Sequence, residues 1–251
     1  MAPVAVLSAL PEELQHLLDD LEGTTEEPLA VGTAWQGRCE GREVVLAHAG
    51  MGKVASALVA TSLIERTRPS ALVVTGVAGS LDPALEVGDV LVATRVVQHD
   101  AGVLTPSGLE RYQAGHLPFV NPTDDLGWPC SPDLVARALA AARHVRLDPL
   151  PASAGGHGAP PRVVEGVVAT GDVFVNDPST RQRLHEELGA HAVEMEGAAV
   201  AQVAATLGVP HLVVRAMSDL AGHDSGIDFA TFLHHVSGSS ARVVRSLVAA
   251  T

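Results

Sequence analysis

Residues 191–219 read HAVEMEGAAVAQVAATLGVPHLVVRAMSD. Ala192 to Glu196 has the pattern of a short extended run. Side chains alternate across a strand, so Glu194 and Glu196 are expected on one face and Met195 on the other. Gly197 permits a close turn. Ala198 to Leu207 is apolar on nearly every side, which predicts a buried helix. Gly208 and Pro210 end it. His211 to Ala216 reads as a buried strand that runs into Ser218 and Asp219. The unit is strand–helix–strand, with acids at two strand ends and Arg215 in the last strand. Acids in such apolar company are costly unless they are paired or used. One reading is a structural network of Arg215 with Glu194 or Glu196. The other is a cleft for a cationic or hydroxyl-rich ligand, because ligands of α/β sheets bind at the carboxyl ends of parallel strands.

Glu194-Met195-Glu196-Gly197-Ala198-Ala199, followed by Val214-Arg215-Ala216-Met217-Ser218-Asp219, resembles the methylthioadenosine/S-adenosylhomocysteine nucleosidases. These belong to the nucleoside phosphorylase superfamily. The paired motifs and their separation are specific, and the resemblance covers most of the chain outside roughly residues 103–130 and 148–162. It implies one α/β domain, a central mixed β-sheet flanked by helices. It implies hydrolysis of the N-glycosidic bond of a 5′-modified adenosine, by a homodimer, with no cofactor. Three other readings stand beside it: a futalosine-type nucleosidase, a purine nucleoside phosphorylase and a non-catalytic nucleoside-binding protein.

Composition sets limits of its own. A chain of 251 residues can bury a full core, and 47% apolar content argues against disorder. Sixteen basic and twenty-nine acidic residues give a net charge of −13. That argues against nucleic acid and against an anionic membrane surface. Lys53 is the single lysine. Cys39 and Cys130 form no metal or disulfide pattern, and a reducing cytoplasm is the simplest setting. The twelve histidines contain no zinc motif, so no metal is expected. The first residues lack a basic start and predict a core strand rather than a leader. Gln202, Pro210 and His211 interrupt the uncharged run 197–214, against a membrane span.

Outward from the central unit, Ala221 to Gly226 reads as a polar loop and Phe229 opens an amphipathic last helix to about Ala249. Val163 to Thr170 predicts a strand and 178–188 a polar helix. Residues 148–162, DPLPASAGGHGAPPR, predict a flexible loop, with His157 a surface histidine. Ser131-Pro132 starts a helix to about Val145. Residues 101–130 are rich in Gly and Pro. Gly88 to Gln98 predicts a strand ending in His99-Asp100, both read as structural. Ala71 to Thr75 predicts a short strand, followed by Gly76 to Ser80, which the resemblance makes a loop under the ribose and the water. Ala49 to Lys53 is a tight turn and not a nucleotide-binding loop, because Ala47 and Val54 break that motif. Residues 31–38 and 42–48 predict paired strands. Val4 to Ser8 predicts the first strand, and Pro11-Glu12-Glu13 opens a helix whose first turn favours acids.

The resemblance then supplies roles. It implies Glu13 as the base that activates water, with Glu12 the second choice, and Asp219 as the proton donor toward adenine N7. Glu196 would hold the ribose hydroxyls, with Glu194 and Ser218 beside the ligand and Met195 under the sugar. Arg215 would position the water and the acids. Phe174 would stack on adenine while the main chain of Val175 reads its edge. Met51 and Phe229 would line the 5′ substituent. Val77 stands where the family usually carries Ser, which removes a hydroxyl near the water. Segment 101–130 would cross the dimer interface.

Overall fold

The computed structural model describes residues 2–151, 158–222 and 225–251, with the backbone alone for 225–232 and 234. The elements, in chain order, begin with β1 (Val4–Ser8), α1 (Pro11–Leu18), β2 (Glu22–Pro28), β3 (Thr33–Cys39) and β4 (Arg42–His48). Next come α2 (Lys53–Thr67), β5 (Ala71–Ser80), β6 (Val90–Gln98), β7 (Gly102–Thr105), β8 (Gly108–Arg111), β9 (Trp128–Pro129) and α3 (Pro132–Ala142). The chain ends with β10 (Val163–Thr170), α4 (Pro178–Leu188), β11 (Ala190–Glu194), α5 (Gly197–Thr206), β12 (His211–Asp219) and α6 (Ser225–Ala249).

The main sheet runs β11-β10-β6-β12-β5-β1-β4-β3-β2, and β11 also pairs with β5. Strands β11, β10, β6, β12 and β5 therefore close on themselves, and the other four extend as a wing. The sheet is mixed: β12 runs parallel to β5 but antiparallel to β6. All residues of β5 and β12 are buried, as expected of strands covered on both faces. Helices α1, α3 and α6 pack together on one side, and α2 packs on α5.

Several expectations change. The loop predicted at 76–80 is the second half of β5, which runs ten residues to Ser80. The resemblance implied a loop, yet Gly76 and Gly79 admit neighbouring side chains while ladder pairing continues. The extended run expected to reach Glu196 stops at Glu194, and Glu196 instead precedes the first turn of α5. The central unit also does not form two parallel neighbours. β11 is antiparallel to β5 while β12 is parallel to it, so the two strand ends meet across β5. Gly79 faces both Val193 and Asp219 in that ladder.

Strand β2 has no counterpart in the sequence reading. It is an edge strand, mostly exposed, and carries Glu22, Glu26 and Glu27. An edge strand has no apolar face to signal it, and its charges discourage pairing with other chains. Segment 101–130 holds the β7–β8 hairpin, a separate two-stranded sheet. Helix α3 ends at Ala142, short of Val145, and α6 begins at Ser225, before Phe229. Of the predicted loop 148–162, residues 152–157, His157 among them, lie outside the description. Its flanks are anchored: Leu150 is buried, and Arg162 pairs with Asp89 at 2.6 Å.

Candidate active site

A cleft opens at the ends of β5, β11 and β12. Four carboxylate residues line it, Glu13, Glu194, Glu196 and Asp219, together with Met51, Val77 and Phe174.

Glu13 sits in the first turn of α1 and is 2% exposed, whereas Glu12 is on the surface. Its Oε2 accepts the backbone N–H groups of Ala9 at 3.0 Å and Leu10 at 2.9 Å. Its Oε1 accepts Val77 N–H at 2.9 Å. Stabilisation of the helix start is thus a real role of this side chain. The same carboxylate also reaches across the fold to β5, which helix capping does not require. Burial raises the Glu13 pKa above the ordinary carboxylate value, against the Arg215 charge and the three N–H groups.

Behind the cleft lies a buried ion network. Arg215 is 1% exposed and does not line the cleft. It donates to Glu194 through a short contact, to Glu196 at 3.3 Å and to the carbonyl of Thr75 at 3.3 Å. Burial works against its charge, but Glu194, Glu196 and Glu13 together hold the guanidinium above its ordinary value. Glu194 also accepts the N–H groups of Glu196 at 3.0 Å and Gly197 at 2.7 Å, and the hydroxyl of Thr170. Its oxygens are fully engaged by protein donors. Glu196 keeps more freedom: besides Arg215 it accepts only Gly52 N–H, at 2.9 Å, among the described residues. Burial, and then the Glu194 charge, push the Glu196 pKa upward against Arg215 and Gly52. The paired-network reading thus fits Glu194, and the ligand reading fits Glu196.

Gly76 makes this network possible. A Cβ there would lie under 3.0 Å from both Glu13 Oε1 and the Arg215 guanidinium, and its φ is +146°. Gly76→Ala is expected to lower stability by roughly 2–4 kcal/mol, because it both overpacks and separates buried charges. A urea midpoint within error of wild type would remove this account.

Asp219 is 2% exposed at the end of β12. Its Oδ1 accepts Ala221 N–H at 2.8 Å, and its Oδ2 lies 2.8 Å from Ser218 Oγ. Ser218 Oγ is also 3.3 Å from the Ala78 carbonyl. A Cβ at Gly79 would approach Asp219 Oδ1 to 2.9 Å, so the glycine leaves the carboxylate its place.

The remaining expected contacts divide. Met195, Val175 and Ser218 line the cleft, as does half-exposed Phe174 on the segment after β10. The Val77 side chain lines it too and is apolar where a hydroxyl would be polar. The Phe229 side chain lies outside the described residues. The sequence reading had not singled out Thr170, whose hydroxyl holds Glu194 and accepts Ala198 N–H at 2.9 Å. It also missed Gly52 N–H on Glu196. Both are contacts between distant segments with no local pattern. Among the described residues, no three His, Cys, Asp or Glu side chains gather to hold a metal ion.

Residues 3–249 match the profile described as the phosphorylase superfamily. A 5′-methylthioadenosine/S-adenosylhomocysteine nucleosidase of Mycobacterium bovis is 47% identical over 98% of this chain and 96% of that protein. The crystal structure of the nucleosidase of that name from Neisseria meningitidis, in complex with methylthio-immucillin-A, superposes with TM-score 0.85. It is 30% identical over the whole of both chains. A futalosine hydrolase mutant of Helicobacter pylori superposes with TM-score 0.84 at 31% identity, again over both whole chains. With this fold and this match along nearly its entire length, the chain belongs to the 5′-methylthioadenosine/S-adenosylhomocysteine nucleosidase family of the phosphorylase superfamily.

Proposed function

We propose that this protein hydrolyses the N-glycosidic bond of 5′-methylthioadenosine and S-adenosylhomocysteine, releasing adenine and the free ribose derivative. The observation that carries this is the placement of Glu13, Glu196 and Asp219 on one largely apolar cleft. Cleaving the bond builds positive charge on the sugar and negative charge on the leaving purine. Two carboxylates answer it, one giving a proton and one activating water, the logic also used on O-glycosides.

In this reading Asp219 delivers a proton to adenine N7. Ser218 supports that role because its one hydroxyl proton can serve either Asp219 or the Ala78 carbonyl. With a proton on Asp219 Oδ2, the carboxyl donates a hydrogen bond to Ser218 Oγ, and the serine turns its own proton toward the Ala78 carbonyl. After transfer, the serine turns back and stabilises the new carboxylate. Glu13 takes a proton from the attacking water. Glu196 accepts from the ribose hydroxyls and lies close enough to the developing cation to favour it. Arg215 is a positioning residue: it holds Glu194 and Glu196 and keeps a positive charge behind Glu13. Phe174 covers the base, Met195 packs under the sugar, and Met51 lies along the 5′ group. With Val77 apolar, the water is oriented by Glu13 without a hydroxyl from that position.

Purified protein is given methylthioadenosine, S-adenosylhomocysteine, adenosine, inosine and futalosine, with and without phosphate. Adenine and free methylthioribose are expected at equal rates with and without phosphate. Strict dependence on phosphate and a sugar-1-phosphate product would assign the protein to the phosphorylase branch. The superposition on a futalosine hydrolase supports a second reading with a different 5′ substituent, and the futalosine arm tests it.

We also propose a cytoplasmic homodimer that works in methionine salvage. Exposed apolar side chains on α2, Val54 and Leu58, and in the 101–130 segment, Leu104, Phe119 and Val120, support an interface between copies. Among the described residues, no helix is long and apolar enough to cross a membrane. Light scattering is expected to give about twice the 25.9 kDa chain mass. A stable, fully active monomer would end the shared-interface reading.

A further inference from the structure

The single lysine of the chain sits where three segments meet beside the cleft. Lys53 is the first residue of α2. Its Nζ donates to Asp100 at 2.7 Å and to Gln98 at 3.4 Å, just after and at the end of β6. It lies 3.8 Å from Asp172. The backbone closes the same ring. Asp172 Oδ1 accepts Lys53 N–H at 2.8 Å, at the positive end of α2, and Asp172 N–H donates to Asp100 Oδ2 at 2.9 Å. Gln98 is held in turn by Gln202 of α5 at 3.0 Å. Gly52 is needed for the approach, since a Cβ there would stand 3.0 Å from Asp172 Oδ1.

We propose that Lys53 is a positioning residue that fastens the start of α2 to the segment 171–175 and thereby sets two walls of the ligand cleft. Both segments carry cleft residues within two positions of the fastening. Met51 and Gly52 precede Lys53, and Gly52 N–H holds Glu196. Val173 and Phe174 follow Asp172. An isolated surface ion pair contributes little. Here the lysine and Asp100 side chains are only 19% and 22% exposed, and backbone N–H groups fix both carboxylates. Burial works to raise the Asp100 pKa, but Lys53 and Asp172 N–H outweigh it and hold it below the ordinary value. Removing the lysine charge leaves Asp100 and Asp172 facing each other, and the two walls separate.

The inference rests on the nucleosidase reading for its substrate but not for its geometry, so two measurements are paired. The first is hydrogen exchange on the unliganded protein. The second is steady-state hydrolysis of methylthioadenosine by wild type, K53M, K53R, D100N and K53M/D100N. In K53M, amides of 50–53 and 171–175 are expected to exchange faster together, with β5 and β12 unchanged. KM is expected to rise roughly tenfold while kcat changes less than about threefold, a coupling of ordinary size for contacting charges. K53R keeps KM near wild type. K53M/D100N recovers part of the loss, because it relieves the carboxylate repulsion. Should K53M not fold, D172N takes its place: it loses only the longer ion pair to Lys53, so faster exchange at 171–175 and a smaller rise in KM are expected. Unchanged exchange in both segments, a KM equal to wild type, or a double variant worse than K53M overturns the proposal. An inactive wild type would instead defeat the nucleosidase reading and leave the exchange experiment to judge the clamp.

Discussion

Asp219→Asn is expected to slow base release by roughly 10²–10⁴-fold, the usual scale for loss of a general acid. The amide keeps the shape of the side chain and can still accept Ala221 N–H through its oxygen, a bond of 2.8 Å in the native protein. Its NH₂ group would then meet Ser218 Oγ, which can accept while donating to Ala78. The fold around the site is therefore preserved, and the proton is what is lost. Affinity for a substrate analogue should change far less than turnover, since Phe174 and Val175 still line the cleft. Single-turnover adenine release beside analogue affinity separates the two effects. A variant that binds normally and turns over within a few fold of wild type would make Asp219 a structural residue.

Glu13→Gln is expected to cost a similar roughly 10²–10⁴-fold, and to change the pH profile as well. The base must be ionised to take a proton from water. Burial raises its pKa above the ordinary value of 4.5, so wild-type kcat/KM should fall as pH drops through a value higher than that. This acid limb should vanish in Glu13→Gln. Its survival in the variant would move the titration to Glu196, whose pKa burial and Glu194 also raise. Stability has the opposite sign. A carboxyl with a raised folded-state pKa binds its proton more tightly when folded. Its contribution is therefore fully present below the unfolded value and is lost as pH rises through the folded one. Glu13 thus favours the fold most under acid conditions, where it cannot act as a base. Buried acids that weigh against the fold at the working pH are a common feature of catalytic sites.

The Arg215 network shows how two adjacent acids come to differ. Glu194 receives backbone, hydroxyl and guanidinium donors from four residues, so it can serve as the rigid counter-charge to Arg215. Both line the cleft, but Glu196 accepts only from Arg215 and Gly52 N–H among the described residues. Removing Arg215 would leave buried carboxylates without their partner, the costly way to break such a pair.

The sequence by itself determined the strand–helix–strand order of 191–219, the strand Val163–Thr170, the helix Pro178–Leu188 and the first strand with its acid-bearing helix. These segments announce themselves through local apolar periodicity and through Gly and Pro at their ends, which depend on neighbours along the chain. Motif resemblance added the family. Tertiary structure decided what periodicity cannot carry. Glu13 is buried and Glu12 is not because only the third helical position faces Val77, sixty-four residues away in sequence. β5 continues through Gly76 and Gly79 because Arg215, Glu13 and Asp219 occupy the space their missing side chains leave. Glu194 and Asp219 converge because β5 pairs with both of their strands, in opposite directions. The charged edge strand β2 and the Lys53 fastening are likewise contacts between segments. Hydrogen bonds and ion pairs between residues so far apart leave no spacing in the chain, and only the folded arrangement brings them together.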